Sequence, residues 1–326
     1  MSTPLRIATF NLENLDDEPG KHPTLAERLP LLRPALVRLR ADVLCLQEVH
    51  GQKQPDGKQA LTALRRLIEG TPYEHYHEAH TQTEEGPPYR LRNLVVLSRF
   101  PVLERQQVRN QHGAPSYQKV TAIPRETVAR PVEWERPILY VRLDLGGTRV
   151  LHVLNLHLKS KQPSDIPGQK DGQHVWKSAR GWAEGYFISS MKRVGQALEA
   201  RLLVDGIFEG DAEAWIAVCG DFNAESEEVA AVAMRGPVEE TGNPGLTTGV
   251  LVPCENTIPA SSRYTLFHLG RGVMLDHIFV SRAISAFYRS AEIHNEVLPD
   301  ESGAFRTDVT FPESDHAPVV AEFLLP

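Results

Sequence analysis

The sequence predicts an α+β fold in which mixed β-sheets pack face to face and helices lie outside them. Three observations carry this. Short unbroken apolar runs such as Val43–Gln47, Leu94–Ser98 and Trp215–Cys219 read as strands covered on both faces. Strand–helix–strand units alternate through the first part of the chain. A hairpin, Leu139–Leu145 and Arg149–Leu156 about a Gly146-Gly147 turn, interrupts them.

Leu5–Phe10 reads as the first strand. Thr24–Leu39 repeats leucine at helical spacing (25, 29, 32, 36, 39), with Pro30 and Pro34 demanding a kink or an early start. Val43–Gln47 is a buried strand, Ala60–Ile68 a second helix, and Leu94–Ser98 a strand closed by an Arg99-Phe100-Pro101 turn. After the hairpin comes a long amphipathic helix, Ser190–Val204, then strands at Trp215–Cys219, Leu275–Val280 and Val319–Leu324. Segments 161–185 and 241–263 are rich in turn-forming residues and read as loops at motif-bearing strand ends.

The chain has 326 residues, 41% hydrophobic and 24% charged, enough apolar residues for a sizeable core. Length alone allows two domains. The formal net charge of −7 is not the basic footprint of a protein that mainly grips nucleic acid. The cations are unevenly spread, however. Residues 159–201 hold eight Lys/Arg against four acids, and Arg90, Arg92, Arg99, Arg105 and Arg109 form a second group. These are either solvated loop and helix charges or a rim around an anionic substrate. Cys45, Cys219 and Cys254 show neither zinc spacing nor a disulfide framework, which suits a reducing compartment. The N-terminus lacks a signal-peptide build and no apolar run is long enough to span a membrane, so the expected location is the cytoplasm. A monomer is favoured.

Polar motifs sit at the ends of apolar runs: Thr9–Asn14, Leu46–Val49, Asn155–Ser160, Gly220–Glu225, Leu275–Ile278 and Ser314–Pro318. A carboxylate ending a buried strand, as Glu48 does, is unfavourable unless solvated or paired, and it suits Mg²⁺, which takes one or two protein carboxylates. Asp221 and Asn223 are two apart on extended backbone and can face one pocket; Asn155 and His157 likewise share a face. Asp315-His316 offers a carboxylate beside an imidazole. The histidines at 75, 77 and 80 lack a completing ligand pattern. The first and last motifs need each other to make one site, so residues 1–326 are expected to form a single domain.

The set and order of these motifs resemble the endonuclease/exonuclease/phosphatase superfamily, the DNase I-like fold, over residues 5–322; Leu-His-Leu-Lys-Ser at 156–160 resembles its bacterial nuclease and phosphodiesterase branch. The resemblance implies a four-layer α/β/β/α sandwich of two packed mixed sheets. It implies a Mg²⁺ (or Mn²⁺) ion held by Glu48, Asn11 and Asp315, with Asp221 orienting or deprotonating water. It implies Asn223 on the scissile phosphate, with His157 and Asn155 beside it, and Asp276 paired with His316. Arg99 is structural by the same likeness, and Tyr117 is a weak match to a phosphate-contacting tyrosine. The expected activity is metal-dependent phosphodiester hydrolysis by in-line attack of water, with DNA or RNA as substrate. The alternatives are a phosphatase or phosphodiesterase on a small or lipid-headgroup phosphoester, and a non-catalytic binding protein on the same fold.

Overall fold

A computed structural model describes residues 3–112, 114–303 and 311–326. Its elements are β1 (Thr3–Leu15), α1 (Leu25–Leu39), β2 (Val43–Val49), α2 (Thr62–Ile68), β3 (His77–His80), β4 (Asn93–Ser98), β5 (Val102–Val108), β6 (Ile138–Gly146), β7 (Arg149–His157), α3 (Ala179–Gly210), β8 (Trp215–Asp221), α4 (Val229–Arg235), β9 (Leu251–Pro253), β10 (Asp276–Ser281), β11 (Tyr288–Ile293) and β12 (Val319–Leu325), with shorter turns between them.

Two six-stranded sheets result, in the orders β11-β12-β1-β2-β4-β3 and β9-β10-β8-β7-β6-β5. Alternate residues of β1, β2 and β4 (Ile7, Cys45, Val96) meet those of β6, β7 and β8 (Val141, Val153, Ala217) in the layer between the sheets. The opposite faces are covered too. Leu25, Leu32, Leu36 and Leu39 of α1 pack with α2 on the first sheet, and Ala197, Ala200 and Val204 of α3 pack with α4 on the second. This is the expected four-layer sandwich, and burial on both faces explains the unbroken apolar runs.

Each sheet has one central parallel pair, β1 with β2 and β7 with β8. The carboxyl ends of all four strands reach one edge of the sandwich, where open α/β sheets place ligands. β10 runs antiparallel to β8 with Asp276 opposite Asp221, and β12 runs antiparallel to β1 with Val319 opposite Thr9. Their amino-terminal ends, and the motifs just before them, therefore arrive at the same edge.

Two elements differ from the sequence expectation. α1 runs unbroken through Pro30 and Pro34, both on its exposed side where water can satisfy the freed carbonyls. Thr24 caps it, its hydroxyl accepting from Glu27 N–H while the Glu27 carboxylate accepts from Thr24 N–H. α3 begins eleven residues before Ser190, so the expected 161–185 loop is shorter. Gly181 and Gly185, which lower helix propensity, hid that start.

Candidate active site

The strand ends bend to present their polar side chains. The β1/β2 register shifts between Asn11 and Leu15, and the β2/β4 register between Leu46 and Val49. Such bulges re-aim side chains at strand ends. Glu13, Asn14, Glu48 and Asn223 all adopt positive φ (45°, 51°, 59° and 49°), a strained conformation for non-glycine residues that clusters at functional sites. Gly220, with φ 142°, brings β8 so close to β7 that a Cβ would lie 2.0 Å from the Leu156 carbonyl oxygen. That approach sets Asp221 beside His157.

Asp221 is the hub. Its Oδ2 accepts from Asn11 Nδ2 and Asn223 Nδ2, both at 3.1 Å, while Oδ1 accepts from the Asn223 backbone N–H at 2.8 Å. His157 Nε2 lies 3.3 Å from Asp221 Oδ2 and 3.6 Å from Glu48 Oε1, and His316 Nε2 lies 3.9 Å from Asp221 Oδ2. His316 Nδ1 meets Asp276 Oδ2 at 2.7 Å. Asp276 is itself fixed by Thr265, whose hydroxyl accepts from the N–H groups of Leu275 and Asp276. Ser314 ties the last motif to the first, donating to the Asn11 carbonyl at 2.7 Å and accepting from His316 N–H. Glu48 Oε2 accepts from Asn14 N–H at 3.0 Å. Asp315 N–H donates to Glu13 Oε2 at 3.0 Å.

The electrostatics follow from burial and crowding. Burial disfavours a charged ring at His316, yet the Asp276 and Asp221 carboxylates outweigh it and hold the imidazole well above 6.5. His157 goes the other way: burial, with Arg136 and Arg92 nearby, pushes it well below 6.5, so it is neutral. Burial, with Asp276 and Glu48 adding to it, pushes Asp221 up to about 7 against the pull of His316. Burial likewise lifts Asp315 to about 6 and, with Asp315 beside it, Glu13 to about 8.

Burial first and neighbouring carboxylates second raise these groups, and a nearby cation would relieve both. Asp276 Oδ1 and Asp315 Oδ1 are buried without a hydrogen-bond partner among the described residues. Asp315 with Glu48 offers carboxylate oxygens of the kind that suit a hard divalent cation. One ligand-type atom from each of Asp221, Asp276 and His316 also falls within 4.8 Å of the others. Because His316 Nδ1 is committed to Asp276, that trio has the form of an acid–imidazole relay rather than a cage for an ion.

Asn155 corrects the sequence expectation. It shares a face with His157 but lies one step deeper, fully buried between the sheets. Its Nδ2 donates to the carbonyls of Leu46 and Val95 at 3.0 and 2.9 Å, and its Oδ1 accepts from Gln47 Nε2 at 2.7 Å. These bonds clamp the two sheets together and engage both its amide nitrogen and its oxygen, which argues against a phosphate contact. The other expected residues, Asn11, Glu48, His157, Asp221, Asn223, Asp276, Asp315 and His316, are gathered at the one edge.

Sequence reasoning missed several supports. Arg136 donates to the His157 carbonyl at 2.8 Å, and Arg28 to the carbonyls of Leu12 and Glu13. His277, next to Asp276, forms a fully buried pair with Glu255 at 2.6 Å and reaches the Ala224 carbonyl at 2.9 Å. Much of the basic run is paired locally: Lys170 with Asp165, Lys177 with Asp171, and Lys161 with Glu228. Arg193 donates to the carbonyls of Lys159 and Ser160. Arg99 is structural as expected, pairing with Asp42 at 3.1 Å.

The endonuclease/exonuclease/phosphatase family model matches residues 8–316. The chain belongs to that family. Membership places it among phosphoester hydrolases. Solved structures similar to this family member include truncated TDP2 from Caenorhabditis elegans, with 15% identity, 98% of each chain covered and a TM-score of 0.58. An AP endonuclease from Archaeoglobus fulgidus matches with 16% identity over 98% of this chain and 99% of that one, at a TM-score of 0.54. The 3′–5′ exonuclease NExo from Neisseria meningitidis gives 16%, 98%, 99% and 0.56 in the same terms. At such identities the likeness shows the shared fold. No curated protein sequence matches the chain.

Proposed function

We propose that this family member is a Mg²⁺- or Mn²⁺-dependent phosphodiesterase that cleaves nucleic acid by direct in-line attack of water. The observation that carries the reading is the single edge where a carboxylate-bound imidazolium, a carboxyl poised near neutrality and an oxygen-rich acidic set converge.

The cation would be held by Glu48 with Asn11 and Asp315, and when bound it supplies positive charge against the phosphate oxygens. The remaining work belongs to the chain. Asp221, pushed up to about 7 by burial, is suited to take the proton of the attacking water. The amides of Asn11 and Asn223 orient it at 3.1 Å each. His316, kept charged by Asp276 at 2.7 Å, presents Nε2–H toward the phosphoryl oxygens as negative charge develops there. His157, neutral and 3.3 Å from Asp221, offers a second imidazole at the phosphate. Asn223 adds an amide donor on the same side. No nucleophilic serine or cysteine lies among these groups, which supports hydrolysis without a covalent intermediate.

The nuclease reading draws on the similar AP endonuclease and exonuclease structures. The net charge of −7 and the local pairing of the lysines favour a second reading, a small phosphoester substrate. The test is conversion of supercoiled plasmid to nicked circles with Mg²⁺ or Mn²⁺, with EDTA and His316→Ala as controls. Metal-dependent nicking lost in the variant is expected. Turnover of small phosphodiesters alone would move the assignment to the second reading.

A further inference from the structure

A cleft of about 1160 Å³ opens beside the catalytic edge rather than on it, between the first half of α3, residues 159–176 and residues 117–135. Its inner end is lined by chain neighbours of site residues. Lys159 follows His157 by two residues, and Glu135 precedes Arg136, which bonds the His157 carbonyl at 2.8 Å. The ammonium groups of Lys159 and Lys192 both face Glu135, at 3.9 and 3.5 Å.

The outer part of the cleft is aromatic and built to be rigid. Trp182 lines it and stacks on Tyr186, with ring centroids 5.5 Å apart and planes 21° from parallel. Both remain open to solvent, at 46% and 39% exposure. Trp176 rests against α3 at Gly185, where a Cβ would lie 2.9 Å from its ring and 2.4 Å from the Ser164 carbonyl oxygen. The Lys170 ammonium covers that ring at 4.7 Å. Across the cleft, the Glu184 carboxylate accepts from the N–H groups of Val120 and Thr121 and from the Tyr117 hydroxyl, fixing the far wall to the same helix. Glycines inside a helix are unfavourable by about 1 kcal/mol each relative to alanine. Here they let a loop and a tryptophan lie on the helix backbone.

A stacked aromatic pair left half open to solvent beside a cleft offers a surface for further stacking. We propose that this cleft is a stacking platform for an unpaired stretch of the substrate strand running outward from the scissile phosphate. The proposal rests on the nucleic-acid reading above and narrows it. Every base has a face that stacks on an aromatic ring, whereas the bases of a duplex are already stacked. Lining residues that neighbour Arg136 and His157 in the chain, and the concave, walled shape, suit a threaded chain rather than a flat lipid surface. Acids offset several of the cleft's cations: Glu126 lies 3.9 Å from Lys119, and Asp165 pairs with Lys170. Lys159 and Lys192 share the one Glu135 carboxylate at the inner end, a surplus of about one positive charge, so the salt dependence should be shallow, with a log–log slope of about −1.

The experiment is fluorescence anisotropy of labelled oligo(dT), oligo(U) and a duplex of equal length, in EDTA so that nothing is cleaved. It uses the wild type, Trp182→Ala, Tyr186→Ala and the double variant, beside Mn²⁺-dependent hydrolysis of bis(p-nitrophenyl) phosphate. Each alanine is expected to weaken single-strand binding about tenfold, with Trp182→Phe largely restoring it and small-substrate turnover unchanged. Tight binding of duplex, or single-strand affinity indifferent to these changes, would overturn the platform while small-substrate turnover left the hydrolase reading standing. Absence of that turnover in the wild type would overturn the hydrolase reading itself.

Discussion

Glu255 offers the sharpest test of how the site is held. Its carboxylate and the His277 imidazole are both fully buried, 2.6 Å apart, and the other ring nitrogen lies 2.9 Å from the Ala224 carbonyl oxygen. Both ring nitrogens face acceptors, so both carry protons. Burial opposes that charge, but Glu255 overcomes it and raises the His277 pKa above 6.5. The pair ties the turn at Cys254–Thr257 to β10 and to the loop that presents Asn223. Removing one member of a buried pair is unfavourable by about 3–5 kcal/mol. In Glu255→Ala the ring can shed its proton, which places the loss near about 3 kcal/mol. In Glu255→Gln the amide can donate to the deprotonated ring, leaving a loss of about 1–2 kcal/mol. At about 2–4 °C per kcal/mol, the alanine variant should melt about 6–12 °C lower. Because the folded-state pKa of His277 is raised, its contribution is complete below the unfolded value of 6.5 and is lost as pH rises through the folded value. The wild-type advantage over Glu255→Gln should therefore shrink toward alkaline pH. Urea unfolding over a pH series rising from about pH 6 reads this, with slopes confirming two-state behaviour. Equal losses for Gln and Ala, an alanine loss below about 1 kcal/mol, or a deficit that grows with pH would refute the reasoning.

Other consequences are more direct. Asp276→Asn removes the carboxylate 2.7 Å from His316, and an adjacent opposite charge shifts a pKa by about 1–3 units, so the alkaline limb of kcat/KM should move down by that amount; an unmoved limb sinks the pairing. Glu48→Gln should weaken Mg²⁺ or Mn²⁺ binding in calorimetry, and an unchanged metal requirement would remove Glu48 from the ligand set. Asn155→Ala should lose about 2–3 kcal/mol of stability, since it leaves the buried carbonyls of Leu46 and Val95 without their donor, with KM for a phosphodiester nearly unchanged. A large KM effect in a stably folded variant would return Asn155 to the phosphate.

The site was legible where the sequence placed a group that a buried strand does not tolerate. Glu48, His157 and Asp221 each end an apolar run, and that anomaly marks the edge proposed as the active site before any fold is known. Asn155 shows the limit of the same logic. The two-residue period gives the face of a strand but not the depth along it, and one step inward turns a phosphate contact into a clamp between sheets. α3 was half visible because Gly181 and Gly185 break helix propensity to admit Trp176 and Gln169, a tertiary requirement that no local pattern expresses. The basic run 159–201 looked like a rim because sequence counts charges without their partners; Asp165, Asp171 and Glu228 neutralise much of it. The His277–Glu255 pair left no signal, because its members lie 22 residues apart and only the fold brings them together.

The central claim is phosphodiester hydrolysis at the edge shared by Asp221, Asp276 and His316. Hydrolysis of bis(p-nitrophenyl) phosphate with Mg²⁺ or Mn²⁺, compared with EDTA and with His316→Ala, tests it most directly. Metal-dependent turnover that falls by about 10²–10⁴-fold in the variant is the predicted result. Turnover that survives EDTA, or a loss smaller than about tenfold in a folded His316→Ala protein, would contradict it.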